Sequence, residues 1–154
     1  MASARLFRVI VPVSSIDNAA VYYSAVLAQP GMRISPGRHY FDCGGTILAC
    51  FDPRSDGDAW DATPNPDPVY FAVDDLEACQ VRASQQRNGS ILQPIETRPW
   101  GERSFYCADP FGNKLCFVVE RTLVKPISKN SESSSQSWLY CGVHGKTSRI
   151  VTFT

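Results

Sequence analysis

The sequence lacks the marks of several large function classes. No apolar run approaches the roughly 20 residues a membrane-spanning helix needs, and Met1-Ala2-Ser3-Ala4-Arg5 leads into a short strand-like stretch, not a secretory hydrophobic region. Net charge is absent too. Across 154 residues, 15 Lys and Arg balance 15 Asp and Glu, which removes any whole-domain attraction for nucleic acid. No GxxxxGK[ST], GxGxxG or GxSxG motif occurs, and no zinc-spaced Cys/His cluster. Histidine is scarce, with only His39 and His144. The expectation is a soluble cytoplasmic protein with no nucleic-acid or membrane partner.

What is present points to a packed body. Apolar residues make up 44% of the chain and charged residues 19%, enough core and too little charge for a disordered polymer. Six cysteines, Cys43, Cys50, Cys79, Cys107, Cys116 and Cys141, contain no CxxC pair. Most lie in apolar runs, where a free thiol packs as a small hydrophobe, so reduced structural thiols are expected.

Residues 5–13 are rich in β-branched side chains and read as a strand. Ser14 is read as the N-cap of a helix whose apolar stripe is Ile16, Ala19, Ala20, Tyr23, Val26 and Leu27, stopped by Gln29-Pro30-Gly31. A short strand at 32–36 and strands at 38–43 and 46–51 follow, the last two joined by Gly44-Gly45, a good hairpin turn. Residues 52–68 carry four prolines and five aspartates and read as a linker or covering loop. Those aspartates lack the alternation and terminal Glu of an EF-hand, so they read as solvated turn residues.

The pattern then restarts. Val69–Val73 is a strand, Asp74 is read as a cap with Glu77 completing a capping box, and Leu76, Cys79 and Ala83 form a buried stripe. Asn88-Gly89 ends that helix. Strands at 91–96, 103–108 and 114–120 follow, with Asp109-Pro110-Phe111-Gly112 matching type I turn chemistry. Val13-Ser14-Ser15-Ile16 therefore corresponds to Val73-Asp74-Asp75-Leu76, and Leu48-Ala49-Cys50-Phe51 to Leu115-Cys116-Phe117-Val118. Strand, helix and three strands occur twice, and such a repeat governs the fold.

This doubled βαβββ unit resembles the vicinal oxygen chelate superfamily, which holds glyoxalase I, extradiol dioxygenases and the fosfomycin- and bleomycin-resistance proteins. The resemblance covers about residues 5–120. It rests on Val13-Ser14-Ser15-Ile16 with Tyr22-Tyr23, on Phe71-Ala72-Val73-Asp74-Asp75-Leu76, and on Trp100-Gly101-Glu102-Arg103 before Asp109-Pro110-Phe111-Gly112-Asn113. It implies an α+β fold, in which tandem βαβββ modules form an incompletely closed mixed sheet with a concave ligand cleft. The expected organisation is one domain over 1–120, with modules at 5–53 and 68–120 joined by linker 54–67.

Metal enzymes of that family carry a His on each first strand and a Glu or His on each last strand. The matching positions here hold Arg8, Pro68, about Ala49, and Cys116. Only Cys116 can ligate, and a single thiol does not suit an oxygen-preferring ion. No metal and no cofactor are therefore expected, and the resemblance lies nearest the metal-free bleomycin-resistance branch. If position 8 faces the cleft, strand alternation puts Leu6, Arg8, Ile10, Pro68, Tyr70, Ala72, Ile47, Ala49, Phe51, Cys116 and Val118 on its wall. Arg8 then either holds an anionic group of a flat ligand or pairs with a carboxylate such as Glu120. Trp100 either stacks on a planar ligand or covers the sheet edge. Trp60 is a lid residue or a surface anchor, His39 a strand histidine, and Cys116 an inert thiol.

The expected ligand-binding set is Arg8, Phe41, Tyr70, Trp100, Arg103 and Cys116, with catalytic residues left open. The expected function is metal-free binding of a planar or anionic small molecule, such as drug sequestration, by a homodimer. The alternatives are a lyase or isomerase of the same superfamily and a ligand-free interaction module. Residues 121–154 lie beyond the resemblance. They read as a Ser-rich linker and a short β-hairpin, with five basic residues against the single acid Glu132.

Overall fold

The structure is a computed structural model that describes residues 2–126. Contacts group the chain into two units, Met1–Val124 and Lys125–Thr154. The expected hairpin, Cys141 and His144 lie outside the described residues.

The first unit contains two copies of one element series. The first copy is β1 (Arg8–Pro12), α1 (Ile16–Val26), β2 (Met32–Ser35), β3 (Arg38–Cys43) and β4 (Thr46–Phe51). The second is β5 (Val69–Val73), α2 (Leu76–Ser84), β6 (Ser90–Thr97), β7 (Arg103–Ala108) and β8 (Lys114–Val119), followed by a short 3₁₀ turn at Glu120–Thr122. Each copy forms a four-stranded mixed sheet, ordered β1-β4-β3-β2 and β5-β8-β7-β6, with β1–β4 and β5–β8 parallel. This is the doubled α+β architecture the repeat predicts.

Local chemistry explains the boundaries. The helix caps sit one residue later than expected. Ser15, not Ser14, accepts from the Asn18 N–H, and Asp75, not Asp74, accepts from the Ala78 N–H. Both are the second of two capping-type residues in a row, and both adopt the extended backbone an N-cap needs. Gly44 and Gly45 both have positive φ, as a tight hairpin turn requires.

The helices cover one face of both sheets, and one core serves both modules. It joins Val11, Tyr22, Tyr23, Val26, Phe41 and Leu48 to Leu76, Cys79, Phe105, Leu115 and Phe117. Cys43, Cys50, Cys79, Cys107 and Cys116 are free thiols. Burial pushes the Cys79 thiol up to about 11 and Cys107 up to about 12, so both stay neutral and pack as apolar groups. No helix among the described residues is long and apolar enough to cross a membrane.

The β7–β8 turn of the second module is clamped onto the first. Buried Asp109 accepts from the Tyr23 hydroxyl at 2.7 Å and from the backbone N–H groups of Phe111 and Asn113. Asn113 in turn donates to the carbonyl of Pro12, on the outer edge of β1, at 2.7 Å. The loop between modules adds a second tie, as the Asn65 amide donates to the Ile10 carbonyl. Three of the five aspartates at 52–68 have partners within the first module and its loop. Asp56 accepts from Ser35, Gly37 and Arg38, Asp52 from Ser55, and Asp61 from Arg54.

Candidate functional site

Each sheet has a second face, turned away from the helices, and strand register says which residues share it. Ile10, Ala49, Tyr40 and Met32 form a row in the first module. The corresponding row of the second module is Tyr70, Cys116, Tyr106 and Gln93. The rows match position for position, but what covers them differs.

On the first module, Arg8 is exposed, and its guanidinium carbon lies 4.8 Å from the Phe7 ring centroid and 4.9 Å from that of Tyr40. Both rings hold the cation by cation–π attraction. Among the described residues, Arg8 makes no ion pair and no side-chain hydrogen bond, so the expected alternative of a pair with Glu120 is not formed. Ile10 and Met32 leave apolar surface on the same face. At its far end Trp60 meets Phe51 edge-on at 5.6 Å, and Arg38 lies over the Phe51 ring.

The second module pairs the polar groups of its own face with one another, while Tyr70 stays exposed. The Tyr70 and Tyr106 hydroxyls meet at 3.3 Å, with the rings edge-to-face. Cys116, between them in register, is only 1% exposed. Burial raises its thiol above the ordinary range, against the opposing effect of Tyr106, Ser104 and Arg98. The hydrogen bond with Tyr70, and then burial, raise Tyr106 likewise. Arg98 lies over the Tyr106 ring at 5.1 Å and donates to the Ser104 hydroxyl and carbonyl and to Glu96. Its side chain is 10% exposed.

The structure therefore sorts the six expected ligand-binding residues. Arg8, Tyr70 and Cys116 share the helix-free side of their sheets, with Cys116 covered. Phe41 is a correction. Alternation turns its ring into the helix-side core, where it is fully buried against Tyr23 and His39. Arg103 is a second correction. It shares the helix face with Phe105 and forms a 2.6 Å ion pair with Glu77 of α2, which holds the Glu77 carboxyl below its usual range. Trp100 is exposed in the turn before β7, where its indole N–H donates to Glu102 at 2.9 Å. Tyr40, Tyr106 and Arg98 were not in the expected set. Period-two alternation from Arg8 and Cys116 finds the two tyrosines, whereas Arg98 reaches Tyr106 from outside the paired row.

The family's metal does not fit these residues. The four positions hold a guanidinium, a proline ring, a methyl group and a buried neutral thiol. No group of three or more His, Cys, Asp or Glu side chains able to hold an ion occurs among the described residues.

Comparison with known proteins agrees with this architecture. Residues 5–117 match the family model of the Glyoxalase/Bleomycin resistance protein/Dioxygenase superfamily, and the chain belongs to that family. No match was found among the curated proteins. Among solved structures, a glyoxalase-related enzyme from Fulvimarina pelagi is similar, with a TM-score of 0.66 and 17% identity, over 86% of this chain and 99% of that one. A glyoxalase/bleomycin resistance protein from Albidiferax ferrireducens T118 gives 0.62 and 22%, over 74% and 97%. Lactoylglutathione lyase from Agrobacterium tumefaciens gives 0.59 and 18%, over 79% and 97%. At these identities the likeness is one of fold.

Proposed function

We propose that this protein binds a planar organic carboxylate without a metal, on the helix-free face of its first module, as a sequestering protein of the bleomycin-resistance type would. One observation carries the reading: the exposed Arg8 guanidinium, held between Phe7 and Tyr40 with no carboxylate of its own. A fork of N–H donors fixed in a plane suits bidentate recognition of a carboxylate. Ile10, Met32 and the Tyr40 ring supply the apolar floor for a flat body. The proposal includes a cytoplasmic homodimer, in which a second copy covers exposed Leu6 and Ile34. Sedimentation of a monomer at all concentrations would remove that part.

The alternative is a lyase or isomerase, favoured by the Tyr70–Tyr106 hydroxyl pair, because a phenol kept protonated can donate to a developing oxyanion. A thermal-shift screen of aromatic carboxylates, uncharged aromatics and divalent metals, each with and without chelator, separates these readings. Binding at about 100 times Kd adds about 2.7 kcal/mol of stability. The expected result is stabilisation by planar carboxylates that chelator does not change. Stabilisation by zinc, nickel or iron alone, abolished by chelator, would overturn it.

A further inference from the structure

The loop between the modules returns to the open face of the first module and brings Trp60 with it. It is fastened on both sides of that residue. Asp56 accepts from the Ser35 hydroxyl, the Gly37 N–H and Arg38, which ties the loop to the ends of β2 and β3. Asn65 donates its side-chain amide to the Ile10 carbonyl and its backbone N–H to the Asn113 side chain. Arg54 and Asp61 form a 2.7 Å ion pair that closes the segment around Trp60. A ring carried by a loop fastened in this way loses little further freedom when a ligand meets it.

The ring against which Trp60 rests belongs to the open face. Phe51 shares a register row with Pro12 and Arg38. It is buried, yet it stands outside the helix-side core, and Trp60 and Arg38 pack on it. Trp60 itself stays half exposed, so part of its indole is free. Among the described residues the second module has no counterpart. Val118 stands where Phe51 does in the repeat, and β8 runs directly into the turn at Glu120–Thr122.

These positions give the face a length and a polarity. Along β1 the Phe51 row lies four residues beyond Arg8, about 13 Å, and two residues beyond the row of Ile10, Ala49 and Tyr40, about 7 Å. The Arg8 guanidinium lies over Tyr40 of that middle row. Arg38, at the Trp60 end, is a second cation of the face, but its Nε is bound to Asp56 at 2.9 Å. A carboxylate is therefore drawn to Arg8, and the Trp60 end offers aromatic surface. One ring attached to a carboxylate on Arg8 covers the middle row. A second ring, fused in line, comes within reach of Trp60, where aromatic surfaces attract edge-on or offset.

We propose that Trp60 is the specificity-determining contact of this face, and that it selects fused bicyclic aromatic carboxylates over single-ring ones. This inference rests on the carboxylate site of Arg8 and names the class of ligand that the site takes. The carboxylate lies on Arg8, the first ring on Ile10 and Ala49, and the second ring against the free part of the Trp60 indole.

Calorimetric titration of the full chain with 2-naphthoate and with benzoate, in the wild type, Trp60→Phe and Trp60→Ala, tests this. Trp60→Ala should weaken 2-naphthoate by about threefold to tenfold and benzoate by less than about twofold, and Trp60→Phe should restore most of the loss. In NMR of the wild type, the Trp60 indole N–H signal, identified by its disappearance in Trp60→Phe, should move with 2-naphthoate and stay in place with benzoate. A preference for 2-naphthoate that is unchanged in Trp60→Ala would overturn the role of Trp60 and leave the carboxylate on Arg8 standing. So would equal affinities of the two acids for the wild type, or a Trp60 signal unmoved by saturating 2-naphthoate, a result that does not depend on how the variants fold. No binding of either acid would overturn the Arg8 site, and this inference with it.

Discussion

Ile10, Ala49 and Tyr40 occupy the same places in the first module that Tyr70, Cys116 and Tyr106 occupy in the second, and an arginine lies over the tyrosine of each row. Arg98 spends its donors on Ser104 and Glu96 and is nearly buried. Arg8 makes no ion pair among the described residues and stands exposed. One module has tied its arginine into hydrogen bonds, and the other has kept a cation exposed on its surface. A duplicated fold thus separates stability from recognition by changing what surrounds a shared frame.

The largest effect is expected at the β7–β8 turn, which is clamped onto the first module. Asp109→Ala leaves the Tyr23 hydroxyl and the Phe111 and Asn113 N–H groups without their acceptor. It should cost about 3–5 kcal/mol in urea unfolding. Asp42→Ala, at the other turn, loses one exposed hydrogen bond and should cost about 1 kcal/mol or less. Similar costs would mean that the two turns are mechanically alike.

Next come the arginines. Arg98→Met breaks hydrogen bonds of a nearly buried guanidinium and should destabilise by about 1.5–3 kcal/mol. Arg8→Met should change stability by less than about 0.5 kcal/mol, as for an exposed surface residue.

The core thiols give a smaller and pH-dependent effect. Cys79 and Cys107 titrate at about 11 and about 12 in the folded chain, against about 8.5 unfolded. Their neutral forms support the fold fully below pH 8.5, and that support is lost as pH rises toward the folded values. Unfolding measured at pH 7.5 and pH 10 should differ by on the order of 1–2 kcal/mol per thiol. Cys79→Ala/Cys107→Ala should flatten the profile, whereas an unchanged slope would show that other groups cause it.

The smallest effect is on the first module alone. The Ser35 hydroxyl, with the Gly37 N–H and Arg38, holds the Asp56 carboxyl below its usual range. Its clamp on β2 and β3 is present above the ordinary carboxylate pKa of about 4 and is lost as pH falls through the lower folded value. Amide exchange at Ser35 and Gly37, corrected for intrinsic rate, should quicken in acid before exchange in β6 and β7 does.

The fold was legible because its signals are local. Two matched apolar stripes, the Gly44-Gly45 hairpin and the Asp109-Pro110-Phe111-Gly112 turn each follow from a few neighbouring residues, and their repetition supplied the topology. The cap positions slipped by one because Ser14-Ser15 and Asp74-Asp75 each offer two capping residues, and only backbone conformation chooses between them. The candidate site was half legible. Arg8, Tyr70 and Cys116 follow from alternation on β1, β5 and β8. Phe41 and Arg103 were misplaced because the same alternation on β3 and β7 assigns the open face to Tyr40 and Tyr106. Arg98 over Tyr106 was missed because Arg98 lies in the turn between β6 and β7, outside the strands whose alternation periodicity reads.

The most direct test of the account is calorimetric titration of 2-naphthoate, with chelator present throughout, into the wild-type protein, Arg8→Met and Arg98→Met. The account predicts saturable binding to the wild type, affinity reduced at least about tenfold in Arg8→Met, and affinity within about twofold of wild type in folded Arg98→Met. Binding that survives Arg8→Met and fails in Arg98→Met would contradict it and move the site to the second module.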